Sequence, residues 1–201
     1  MGIQLTFTNM FQLFAALSPL LLGFFLVMSS IFNQNIRGLV YLGGVLIACV
    51  INMFFMNMIK SGSDPTRSPM CDFVDLPFSM NNYNSPALSS LFIAFTIAYL
   101  ALPMKFNNNI NYTILAALLG IFVMDAITKI SNKCTTPVGT LLGALVGLVF
   151  GGLWYSLFHA TGNDSLLFFD EVASNNVVCS RPARQTFKCA VYRNGELVRQ
   201  L

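Results

Sequence analysis

The chain has 201 residues, of which 55% are hydrophobic and 9% charged, with a net charge of +3 and a mean hydropathy of +0.67. A soluble domain carries roughly 25% charged residues, so this composition excludes an ordinary soluble fold. The small positive charge, most of it near the C-terminus, gives no basic stripe for following a nucleic-acid backbone, and direct nucleic-acid binding is not expected.

Crossing a hydrocarbon core of ~30 Å takes about 20 helical residues. Five apolar stretches meet that length, at about residues 10–32, 38–59, 86–104, 110–130 and 137–160. The first is too long for the apolar region of a signal peptide and no Lys or Arg precedes it, so it is expected to be a span. The opening MGIQLT fits an N-myristoylation pattern through Gly2 and Thr6. Residues 33–37 and 105–109 are short polar connections that imply antiparallel helical hairpins. Residues 60–85, rich in Pro, Ser, Asn and Asp, form the one long inter-helix loop.

In the fourth stretch Asp125 and Lys129 are spaced to pair on one helix face. An ionisable residue inside a membrane is a candidate for a proton or ion relay. Here both fall in the last turns, where Lys129 can reach the interface with Asp125 as its partner, and the expectation is a structural ion pair. The fifth stretch carries Gly139, Gly143, Gly147 and Gly151 at steps of four, a smooth stripe along one face. Such a stripe lets another helix approach closely, from the same chain or from another subunit. It also keeps a glycine-lined pore in view. His159, with Trp154 and Tyr155, is expected in an interfacial aromatic belt; no nucleophile is placed to use the histidine as a base.

After residue 160 the pattern changes. GNDSLLFFDEVASNN is rich in turn formers and acids, VVCS and TFKCAVY favour strands, and Asn194-Gly195 is a hairpin signal between two strand-like runs. The expected architecture is an all-α polytopic membrane domain over residues 1–160, followed by a small soluble tail at 161–201 folded as a β-meander. Cys49 lies in an apolar stretch, Cys71 and Cys134 in two connections, and Cys179 and Cys189 in the tail. None has C-x-x-C spacing, and with one histidine in the chain neither a zinc site nor any cofactor is expected. Cys179 and Cys189 flank CSRPARQTFKC in strand-like runs, a setting that suits a cross-strand disulfide. Arg181, Arg184, Phe187, Lys188, Tyr192 and Arg193 form a candidate partner-binding surface on that tail. Lys60, Arg67, Lys129 and Lys133 share the face of the N-terminus against Arg37 and Lys105 opposite, which favours a cytosolic N-terminus; five basic tail residues pull the other way and leave orientation open.

The run GNDSLLFFDEVASNNVVCSRPARQTFKCAVYRNGELV, behind a glycine-striped span and Trp154-Tyr155, resembles multi-pass membrane proteins of large nucleocytoplasmic DNA viruses, those of algal giant viruses above all. The resemblance covers about residues 134–198. It centres on Ser174-Asn175-Asn176, Cys179-Ser180-Arg181-Pro182, Gln185-Thr186-Phe187-Lys188-Cys189 and Tyr192. It implies a non-enzymatic minor capsid or membrane protein in the internal membrane of the virion, and in host-derived membrane during assembly. Its partners would be the bilayer, other viral membrane or capsid proteins and further copies of itself. The alternative expectation is a small oligomeric channel or transporter built on the glycine-striped fifth helix.

Overall fold

Hydrocarbon offers no water to unpaired amides, so a spanning segment must close its backbone hydrogen bonds within itself, as a helix does. The computed structural model describes residues 7–62, 65–68, 71, 83–106, 110–168, 190–193 and 196–200. The five apolar runs form α1 (Phe7–Phe32), α2 (Arg37–Ile59), α3 (Leu88–Phe106), α4 (Tyr112–Ser131) and α5 (Pro137–Ala160). All five are long and apolar enough to cross a membrane.

Local chemistry sets the helix ends. Thr136 caps α5 by accepting the Gly139 N–H at 3.0 Å, with Pro137 in the first turn. Asn111 caps α4 by accepting from the Ile114 N–H. At the α1–α2 turn the Ser30 hydroxyl accepts the Gly38 N–H at 2.8 Å and bonds back to Asn35. A side chain at Gly38 would meet Ser30 and the α1 backbone at Val27, so glycine is what lets this hairpin close.

The helices alternate in direction. The starts of α1, α3 and α5 and the ends of α2 and α4 share one face, called here the N-terminal face. There Gly62 bridges Tyr83, and Gln12 Nε2 reaches Asn132 Oδ1 at 3.5 Å. At the opposite, C-terminal face the Arg37 Nε donates to the Ser165 carbonyl at 3.0 Å.

The central helix is α3. Its central window is 61% buried against 17–33% for the others, no residue from Leu88 to Met104 is exposed, and it packs on all four neighbours, most extensively on α5. It also has the lowest mean hydropathy of the five. The two properties belong together, because hydroxyls need partners that protein supplies and lipid does not. Thr96 donates its proton to the Phe92 carbonyl at 2.9 Å, and so accepts from the Tyr41 hydroxyl of α2 at 2.6 Å. Tyr41 in turn packs against Phe92, Phe95 and Tyr99. The outer faces carry the exposed large apolar residues, among them Phe25, Phe54, Val123, Ile127 and Leu141, which suit contact with lipid tails.

After α5 a short 3-10 turn, Asp164–Leu166, folds back and buries Leu167 and Phe168 in the C-terminal end of the bundle, with Phe168 edge-on to Tyr99. Further on, β1 (Ala190–Arg193) and β2 (Glu196–Gln200) pair antiparallel, with Arg193 opposite Glu196.

Candidate functional site

Three places hold the residues singled out by the sequence. The first is the seam between α3 and α5, which run parallel. Along it the Cβ position of Gly143 is occupied by the Ala87 carbonyl and that of Gly147 by the Leu91 carbonyl, while a Cβ on Gly151 would lie 2.6 Å from the Phe95 oxygen. One residue without a side chain per turn therefore brings two backbones together, and glycine Cα–H groups face carbonyl oxygens, a weak attraction repeated along the seam. At its head the Ala87 N–H, just before α3, donates to the Gly139 carbonyl of α5 at 2.9 Å, a backbone hydrogen bond between the two segments. The partner of the stripe is thus a helix of the same chain.

The second place is a polar layer near the N-terminal face. Asp125 on α4 is fully buried. The Ser89 hydroxyl of α3 donates to its Oδ2 at 2.8 Å. Lys129 Nζ stands 3.1 Å from Oδ1, off the angle of a directed hydrogen bond, so the contact is an ion contact. A quarter of the Lys129 side chain is exposed. It lines a cavity of about 40 Å³ with Gln12, Thr128 and Asn132, under Cys71 and Cys134. Beside this layer, Asn52 Nδ2 of α2 donates to the Pro86 carbonyl and the Thr135 hydroxyl donates to the Asn84 carbonyl, tying the start of α3 to α2 and α5. Asp125 was expected within reach of the interface. It is sealed instead because Ser89 of the central helix covers it, and only Lys129 extends outward.

Over the same layer Cys71 and Cys134 form a disulfide, with Cα atoms 5.3 Å apart across 63 residues of sequence. Sequence reading placed both cysteines in connections and did not pair them. The signal that finds them is parity: two spans separate Cys71 from Cys134, so the two connections lie on one face. Closing a loop of this length contributes about 4 kcal/mol by chain entropy in solution. In a bilayer the intervening α3–α4 hairpin stays inserted when packing is lost, which lowers that figure. Replacing both cysteines with serine is therefore expected to lower the melting midpoint of the detergent-solubilised protein with its helix content unchanged, measured by circular dichroism. A midpoint equal to that of the oxidised wild type would show that the bridge does not hold the bundle.

The third place is the C-terminal face. His159 Nδ1 and Asp164 Oδ1 are 2.8 Å apart, and the His159 ring packs against Phe106 and Tyr155. The pair fastens the turn after α5, where Arg37 also holds it. Trp154 and Tyr155 are turned toward protein. The Trp154 Nε1 donates to the Val40 carbonyl of α2 at 3.1 Å with the ring over Gly44, and Tyr155 is buried. One side of the last turns of α5 faces the bundle, through Tyr155 and the Trp154 bond to α2, while Leu153 and Leu157 are exposed.

Among the described residues no group of three or more His, Cys, Asp and Glu side chains is placed to hold a metal. Gly2, Cys179, Cys189, Arg181, Arg184, Phe187 and Lys188 lie outside the described residues. Tyr192 and Arg193 fall in β1, of which the backbone alone is described. Comparisons of the chain with protein-family models, with curated proteins and with solved structures find no match.

Proposed function

We propose that the chain is a structural integral membrane protein: a rigid five-helix unit that fills its place in a bilayer and offers its two outer faces to neighbouring proteins. The observation that carries this reading is the α3–α5 seam, where backbone meets backbone inside one chain. The disulfide across the N-terminal face and the clasp on the C-terminal face fit the same purpose, since each fixes a connection. The resemblance of residues 134–198 to membrane proteins of large DNA viruses supplies the setting, an internal virion membrane beneath a capsid shell. In this reading the tail is a small β-meander whose Arg181, Arg184, Phe187, Lys188, Tyr192 and Arg193 meet the shell, with strand addition at a free edge as the mode.

A pore along the glycine stripe is disfavoured because backbone of α3 fills it, and a relay through Asp125 is disfavoured because its partners are one hydroxyl and Lys129 a single turn away. The test pairs two measurements. Liposomes reconstituted with wild type and with Asp125→Asn, each enclosing a pH-sensitive dye, are expected to leak protons no faster than empty vesicles. Cross-linking of intact particles is expected to join the loop at 60–85 or the tail to a shell protein. A wild-type proton flux abolished by the substitution would replace this reading with the channel.

A further inference from the structure

We infer that the face tied by Cys71–Cys134 lies in an oxidising, non-cytosolic compartment and that the tail beyond α5 lies on the cytosolic side. The inference holds whatever proteins the two faces meet.

Three observations converge. A disulfide between two connections persists where thiols are not kept reduced, which the cytosol does not allow as a rule. Cys71 and Cys134 are held together by the fold around them: the Ser68 N–H donates to the Asn132 carbonyl, and the Cys134 N–H donates to the Lys129 carbonyl. With five spans, the N-terminus shares the face of this bridge and the tail does not.

The charges near the span ends do not decide the orientation once the structure is taken into account. Counted from sequence, the short connections favoured a cytosolic N-terminus through Lys60, Arg67, Lys129 and Lys133. Lys129, however, is held against buried Asp125 inside the bundle and is not a loop charge. That leaves Lys60, Arg67 and Lys133 against Arg37 and Lys105, too even a division to orient the chain. The remaining basic residues, Arg181, Arg184, Lys188, Arg193 and Arg199, all follow α5. With acids included, the disulfide face carries no net charge and the opposite face carries the whole +3. Orientation follows basic residues close to the span ends, and these five begin 21 residues beyond Ala160, so the assignment rests on the bridge.

Two consequences follow for residues outside the described ones. The assignment predicts that Cys179 and Cys189 are thiols, against the bridge expected from their strand-like setting. Gly2 stands on the non-cytosolic side, away from cytosolic acylation.

The test uses the full chain carrying a glycosylation acceptor tag at either end, made in cells with a secretory pathway. The N-terminal tag is expected to gain an endoglycosidase-sensitive glycan and the C-terminal tag none. In parallel, membranes of untagged protein are alkylated without reductant and digested for mass spectrometry. A linked Cys71–Cys134 peptide is expected, with Cys179 and Cys189 both alkylated. A glycan on the C-terminal tag, alkylated Cys71 and Cys134, or a Cys179–Cys189 peptide would each overturn the assignment.

Discussion

Alanine at Gly147 is expected to unseat α5 from the central helix. Its methyl group would fall on the Leu91 carbonyl and 2.9 Å from the Phe95 nitrogen, and neither is a side-chain end that can rotate away. The helices would have to separate along the seam, since Gly143 and Gly151 meet α3 in the same way one turn on either side. Separation would lengthen the 2.9 Å bond from the Ala87 N–H to the Gly139 carbonyl. Overpacking a close contact costs about 1–3 kcal/mol, and the upper end applies when backbone must move. Gly143→Ala added to Gly147→Ala should cost less than twice as much, because the first displacement already relieves the second. The controls are Gly43→Ala and Gly120→Ala, which meet nothing within 4 Å. They should be neutral or slightly stabilising, as alanine loses less chain entropy in a helix. Melting midpoints in one detergent decide it, and a Gly147→Ala midpoint equal to that of Gly120→Ala would reduce the seam to mere proximity.

How far each of these features could be read from sequence depended on whether its cause was local. The five helices were legible because hydrocarbon sorts side chains strongly, and Thr136-Pro137 and Asn111 announce their helices by capping chemistry that needs no tertiary context. The glycine stripe was legible as a surface, but its partner was not: α3 receives it with Ala87, Leu91 and Phe95 backbone, and carbonyl groups leave no mark in sequence. The central place of α3 did leave a mark. Ser89, Ser90, Thr96 and Tyr99 crowd one span, and hydroxyls at that density signal a helix turned toward protein. The burial of Asp125 was hidden because it depends on Ser89, 36 residues away on another helix. Cys71–Cys134 was hidden for a different reason, since attention to strand-like spacing favoured the tail cysteines, whereas span parity pairs the connections.

The polar layer predicts an asymmetry between the two partners of one ion pair. With Lys129→Met, the Asp125 carboxylate remains fully buried with the Ser89 hydroxyl as its hydrogen-bond donor, and a buried charge deprived of its counterion costs about 3–5 kcal/mol. With Asp125→Asn, the amide oxygen still accepts from Ser89, and Lys129, already a quarter exposed beside a cavity lined by Gln12 and Asn132, can turn its ammonium to water. That change should cost about 1 kcal/mol, the scale of an exposed pair. Combining Asp125→Asn with Lys129→Met removes both charges and should recover most of what the lysine substitution alone loses. The expected order of melting midpoints is therefore wild type, then Asp125→Asn and the double variant close together, then Lys129→Met well below. Since α4 is the least buried of the five helices and its Asp125 meets α3 through the Ser89 hydroxyl, the loss should appear first as protease access to α4, with α3 and α5 still protected. Equal midpoints for Lys129→Met and Asp125→Asn would mean that the buried carboxylate does not depend on its counterion, and that the Ser89 hydrogen bond with apolar packing holds the helix in place.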